Sequence, residues 1–496
     1  MRNSTRSVTR SIVVAILTAL AALLVGLMSS LTTAVTASIG LTAVRALIVP
    51  GTGTPHAAPD YLNNAVNYYV IPSGACGSPP AAGCPQAVQG IDYYATFWPI
   101  PLPGWGGLEG QKWNVSVADG VKNLTAAYTP PTAGNSVIIF GYSQGATVAS
   151  NFKRLHPQVN VQPGDPTTDY FFIGNPQRPS GGFFERLAFL GNVPILDAQF
   201  GDPSPTDTCN GGARICTTDF ALMYDGVADF PQWLANPVAV LNAVAGFQYI
   251  HGTYLAPNGD DPVGETPYGY TPQEVKDAVA AAEADCSAAT YCQHVDGSDT
   301  IYVTLPAKYL PLYQPFVDLG DATGTSALIV PVTDFLSPFT QTIIETGYDR
   351  TNYANPQPGT ILPPKTFNPI GTAVDLVNDI PEGINMALTP GRTPLPPPAG
   401  QGPQTLTTLS DTNTTNTIVS KTTAPTLGAP DIRLGIFAKP GENTTTGPNG
   451  SSTNRPLQNE LKDFHPVRDV VKAVSDTAKK ALGKDDNSSA GSDPDN

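Results

Sequence analysis

Ser136-Val137-Ile138-Ile139-Phe140 runs directly into Gly141-Tyr142-Ser143-Gln144-Gly145, and a helical pattern follows over residues 146–155. The run from Val137 to Phe140 is β-branched or aromatic throughout, the composition of a buried strand. Two glycines flank the serine at G-x-S-x-G spacing. They let the chain turn sharply from strand to helix and lift the hydroxyl out of the bend. The helix that follows aims its positive N-terminal end at charge developing on that side. The five-residue pattern recurs by chance in glycine-rich chains. Its place between a strand and a helix is what gives it weight.

Outward from this point the same alternation continues. Residues 45–49 (RALIV) read as a buried strand that stops at Pro50-Gly51-Thr52-Gly53-Thr54-Pro55. Residues 170–173 (YFFI) and 220–224 (FALMY) are further short strands with turn residues behind them. Strands interleaved with helical stretches predict βαβ units. The expected fold class is α/β, of the α/β-hydrolase type, with a mainly parallel sheet and helices on both faces. From 261 to 390 the pattern loosens. It keeps a helical stretch at 272–284 and an apolar run at 300–316 (TIYVTLPAKYLPLYQPF). That run either completes the sheet or forms a cap suited to a lipid.

The chain has 496 residues, is 41% apolar and carries a formal charge of −15. Such acidity excludes nucleic acid as a partner, because phosphate binding needs clustered Lys and Arg. Arg2, Arg6 and Arg10 precede a stretch without charge that lasts until Arg45, and residues 11–28 are almost continuously apolar. Residues 1–40 therefore read as a transmembrane helix with the bulk of the chain outside the cytoplasm. A signal peptide cleaved after Val35-Thr36-Ala37 is the alternative. Both readings export the chain. Residues 41–390 form the expected catalytic domain, and residues 391–496 a Pro-, Thr- and Asn-rich disordered tail with a short helix near 466–483. The six cysteines fall into close pairs, Cys76 with Cys84, Cys209 with Cys216 and Cys286 with Cys292. On an exported chain these read as small disulfide loops; no pair has the spacing of a zinc site.

A serine nucleophile needs a base and a carboxylate to orient it, in the chain order Ser, acid, His for this fold. Of the five histidines, His56 precedes Ser143, His156 ends the elbow helix and His465 lies in the tail. His251, in the glycine-punctuated apolar run around Ile250, is preferred over His294, which sits in polar sequence. Asp225 and Asp229 both follow the strand at 220–224. Asp229 is chosen as the acid because residues 226–231 read as the loop beyond that strand, with Asp225 its rival. The oxyanion donors are the Gln144 N–H and Thr52 in the loop after the first strand. This chemistry calls for no metal and no cofactor.

Several of these segments together resemble the mycobacterial PE-PPE domain: the loop from Pro50 to Pro55, the elbow GYSQG, Gly174-Asn175-Pro176, Tyr224-Asp225-Gly226 with Ala228-Asp229-Phe230-Pro231, and Asn236-Pro237 through Ile250-His251-Gly252-Thr253-Tyr254. The resemblance covers residues 45–380. It implies a cutinase-like serine α/β hydrolase with esterase or lipase activity. The chain lacks the helical PE or PPE module that often precedes the domain and carries an N-terminal apolar segment instead. That arrangement is similar to the family's envelope acyltransferases, which esterify trehalose glycolipids outside the membrane. The expected partners are thus lipid or glycolipid acyl esters and the membrane itself. Three functions stay open: acyl transfer between glycolipids, hydrolysis of lipid esters, and a non-catalytic envelope scaffold.

Overall fold

The structure is a computed structural model that describes residues 43–257 and 266–398. The N-terminal segment at 1–40, the tail beyond 398 and the helix expected near 466–483 lie outside the described residues.

In chain order the elements that build the site are β1 (Ala43–Val49), α1 (Pro59–Ala65), β2 (Ala87–Gly90), α2 (Trp113–Ala127), β3 (Asn135–Tyr142), α3 (Gln144–Leu155) and β4 (Thr168–Ile173). There follow β5 (Thr217–Leu222), α4 (Pro237–Tyr249), α5 (Pro272–Ala284), β6 (Cys292–His294), β7 (Thr300–Leu305), α6 (Gln314–Thr323), α7 (Ser326–Glu345) and α8 (Pro369–Leu388). The strands form a seven-stranded sheet in the order β2-β1-β3-β4-β5-β7-β6. Every pairing is parallel except that of the short edge strand β6 with β7. The apolar run at 300–316 takes the first of the two roles expected of it. Residues 300–305 complete the sheet, and its end enters α6 in the outer helical layer.

Strand alternation supplies two cores. Ile138, Phe140 and Tyr142 of β3 face Tyr61 and Ala65 of α1, whereas Val137 and Ile139 face Ala146 and Ala149 of α3 and Val117 of α2. Strands apolar on both faces are what a parallel sheet covered by helices requires. Helix α1 after β1 and helix α3 after β3 therefore leave adjacent strands toward opposite faces. In open α/β sheets such a switch creates a crevice at the carboxyl ends of the strands. Ser143 and Thr52 both sit there.

The three expected disulfides, Cys76–Cys84, Cys209–Cys216 and Cys286–Cys292, are present. One boundary differs from expectation: β5 ends at Leu222, not Tyr224. Tyr224 adopts a left-handed φ of 67°, which breaks the strand and turns the chain back over the sheet end.

The elbow depends on absent side chains. A Cβ on Gly145 would lie 2.2 Å from the Val49 carbonyl oxygen and 2.5 Å from that of Pro50. One on Gly141 would lie 2.6 Å from the Gly145 carbonyl oxygen. Both obstacles are backbone, which cannot swing aside. Gly145→Ala should therefore destabilise the domain by about 1–3 kcal/mol, the usual range for overpacking. Denaturant unfolding would show this as a lowered midpoint.

Candidate active site

Ser143 connects β3 to α3 with φ 54° and ψ −120°, a conformation that costs a non-glycine residue roughly 1–3 kcal/mol. The surroundings hold it there. Its N–H donates to the Ile173 carbonyl at 3.1 Å, and its own carbonyl accepts the first helical bonds from Ala146 and Thr147. The Gln144 side chain is buried, accepting from Ser116 Oγ at 2.9 Å and donating to the Thr96 carbonyl at 3.1 Å. Gln144 thus pins the start of α3, leaving its N–H in the first turn, where helical amides have no internal partner.

Ser143 Oγ lies 2.9 Å from His251 Nε2, and His251 Nδ1 lies 3.0 Å from each carboxylate oxygen of Asp225. The three side chains are nearly enclosed; Asp225 is fully buried and Ser143 only 9% exposed. Asp225 also accepts from the Tyr254 hydroxyl at 2.7 Å and from the Val227 N–H at 2.9 Å. A carboxylate that accepts from several donors is held in one orientation. His251 begins a short 3-10 turn after α4, and the Tyr142 hydroxyl, from the strand end beside Ser143, donates to its carbonyl.

The expectation that Asp229 orients the imidazole is corrected by this geometry. Asp229 is buried four residues further on, where Arg350 Nη1 and Nη2 donate to its two oxygens at 2.8 and 3.1 Å. Asp229 Oδ2 also accepts from the Tyr224 N–H at 2.8 Å. Burial pushes the Asp229 carboxyl upward, but the Arg350 charge and these hydrogen bonds outweigh burial and hold it below its ordinary value. Asp229 therefore clamps the strained residue that precedes Asp225. Of the two candidate histidines, His251 faces Ser143, whereas His294 lies on edge strand β6 and bonds the Ser298 carbonyl.

Thr52 is buried in the loop that leaves β1, and the preceding carbonyls of Val49 and Pro50 pack on Gly145 of the elbow. The loop and the N-terminus of α3 thus meet beside Ser143. Aromatic side chains border the same place. The Phe247 and His251 rings are centred 5.9 Å apart and nearly parallel, and Trp105 meets Phe247 edge-on at 6.0 Å. A Cβ on Gly53 would lie 3.4 Å from the Trp105 ring. The wall beside the serine is therefore apolar, fit for an acyl chain.

Sequence reading missed Tyr254, Arg350 and Gly174 as parts of this arrangement. Gly174, at φ 54°, is the floor beneath the imidazole: a Cβ there would lie 3.0 Å from His251 Cε1. Tyr254 stood three residues past the histidine, and its spacing was its one signal. Cys209, Cys216 and Asp299 also converge, but their sulfurs are joined in a disulfide and Asp299 pairs with Lys153 at 2.7 Å. That cluster offers no thiolate to a metal.

Comparison with known proteins places the chain among relatives of one family. The PE-PPE domain family matches residues 84–349. Esterase PE16 of Mycobacterium tuberculosis is 30% identical over 331 residues, which cover 66% of this chain and 53% of that protein. Diacyltrehalose acyltransferase Chp2 of the same organism is 27% identical over 241 residues, covering 47% of this chain and 62% of that one. The chain spans about half the length of the first of these relatives, 53% for PE16 and 47% for the PPE family protein PPE42. Among solved structures, a cutinase-like protein from Cryptococcus sp. aligns at 18% identity and a TM-score of 0.26, covering 49% of this chain and 94% of that one.

The two aspartates should separate in experiment. Asp225→Asn should slow labelling of Ser143 by a fluorophosphonate by about 10⁴-fold, because the imidazole loses the partner that fixes its tautomer. Asp229→Asn should lose far less labelling per folded molecule, yet lose about 3 kcal/mol of stability by leaving Arg350 half-paired. Because the Asp229 carboxyl is lowered in the folded state, its contribution is complete above the ordinary carboxylate range. It fades as pH falls through the lowered value. The gap between the unfolding midpoints of wild type and Asp229→Asn should accordingly narrow in acid.

Proposed function

Because the chain belongs to the PE-PPE domain family, we propose that it is a serine enzyme acting on lipid acyl esters, with Ser143 as nucleophile, His251 as base and Asp225 as the orienting acid. The observation that carries the reading is the unbroken path from Ser143 Oγ through the imidazole to the Asp225 carboxylate, with contacts of 2.9 and 3.0 Å. His251 Nε2 takes the hydroxyl proton as Ser143 Oγ bonds to the acyl carbon. The oxyanion that forms is met by the Gln144 N–H and by Thr52. On collapse the alcohol leaves with the proton from His251, and the acyl group stays on Ser143. An acceptor hydroxyl, deprotonated by the same imidazole, then attacks and releases the serine.

The finer reading is that the acceptor is a sugar hydroxyl of an envelope glycolipid, a trehalose ester, and that the chain works outside the cytoplasm, held there by residues 1–40. Similarity to a diacyltrehalose acyltransferase supports transfer, and three disulfides support an exported domain. Hydrolysis, with water as acceptor, is the second reading, favoured by the higher identity to an esterase.

Ser143→Ala should abolish fluorophosphonate labelling and lower ester turnover by at least about 10³-fold. A folded wild type that fails to label would instead favour the scaffold. Incubation with an acylated trehalose, following both products, separates the acceptors: a more highly acylated sugar supports transfer, and free fatty acid alone rejects it.

A further inference from the structure

Helices α7 and α8 pack against each other, and both are built inside out. The face that α7 buries consists largely of Thr333, Asp334, Ser337, Pro338 and Gln341, while Leu328, Val332, Leu336 and Ile343 stand exposed. Helix α8 buries only Gly383 and Met386; Ile370, Val374, Val377, Ile380, Ile384 and Leu388 are all exposed, Val377 to 64%. These six fall at helical spacing and form one stripe. A surface helix normally does the reverse, and a contiguous apolar patch of several hundred Å² marks a binding surface. By length and apolarity α7 would pass for a membrane span, with 39% of its most apolar window buried in the protein. Its buried polar face makes it a surface helix.

We propose that this face docks on an uncharged lipid surface and so brings the acyl-ester site to its substrate. The proposal rests on the lipid-ester reading above and assigns the surface that serves it. Composition selects lipid over protein. The α8 stripe is wholly aliphatic, whereas protein interfaces favour aromatic residues, Met and Arg at their centres. Charge selects the kind of lipid. Neither helix contains a Lys or Arg, and their charged residues are Asp334, Glu345, Asp375, Asp379 and Glu382. Helices that lie on anionic membranes carry Lys and Arg on the polar face, so this pair fits a zwitterionic or sugar-headed surface. Continuity with the site comes through α4. That helix packs on α7, exposes Leu241 and Val244, and carries Phe247 against His251 just before its end.

All six cysteines are joined in disulfides, so one introduced cysteine gives the full chain a single free thiol. Val332→Cys and Val377→Cys, each labelled with a polarity-sensitive fluorophore, should brighten at least about twofold and shift to the blue on adding phosphatidylcholine vesicles. Both should be quenched by nitroxides on the acyl chains. A label at Val159→Cys, exposed on the loop after α3, should not respond. Labels that stay polar while the chain pellets with the vesicles would overturn the proposal, leaving another segment as the anchor. A vesicle-independent rise that grows with protein concentration would overturn it in favour of a second copy. Stronger, salt-sensitive binding to phosphatidylglycerol vesicles would overturn the uncharged assignment. Val374→Asp with Val377→Asp should lower turnover of a long-chain ester in phosphatidylcholine vesicles by at least about tenfold, leaving a soluble short-chain ester unaffected. Equal loss on both esters would count against docking. No turnover of the soluble ester by wild type would instead refute the enzymatic reading, whatever the labels report.

Discussion

Gly145 occupies a space that two backbone carbonyls have already filled. The Val49 and Pro50 oxygens approach so closely that no side chain fits, and this forces the end of β1 onto the start of α3. The rest of the site follows from that contact. It holds Ser143 at an unfavourable φ, sets the loop carrying Thr52 beside the first turn of α3, and opens the crevice where neighbouring strands send their helices to opposite faces. The strain at Ser143 is offset by the packing of two cores, one on each side of the sheet.

A second constraint ties distant parts of the chain to this point. Arg350 bonds Asp229 through two nitrogens and Glu345 through two, joining the end of α7 to the turn after β5. Asp229 in turn fixes the Tyr224 N–H, and the next residue is Asp225, whose carboxylate faces the imidazole. The outer helical layer thus supports the site as well as covering the sheet. It also presents the aliphatic face that suits a lipid surface, so one layer would govern both approach and alignment. Trp105 and Phe247 give the serine an aromatic, apolar wall on the side of His251.

The elbow, the parallel sheet and the cysteine pairing were legible in the primary structure because each is local. A strand run, a glycine pair and a short cysteine spacing all act within about ten residues. Which aspartate faces His251 was not legible. Asp225 and Asp229 stand on one turn, both buried, and local pattern treats them as equals. What separates them is their tertiary partners: Asp225 faces His251 and Asp229 faces Arg350, more than a hundred residues away in sequence. Only the tertiary fold brings a guanidinium there, and a buried carboxylate already paired with a guanidinium is not free to serve an imidazole. The inverted helices tell the same story: their apolar spacing is visible in sequence, but which face turns outward was settled by packing against the body of the domain.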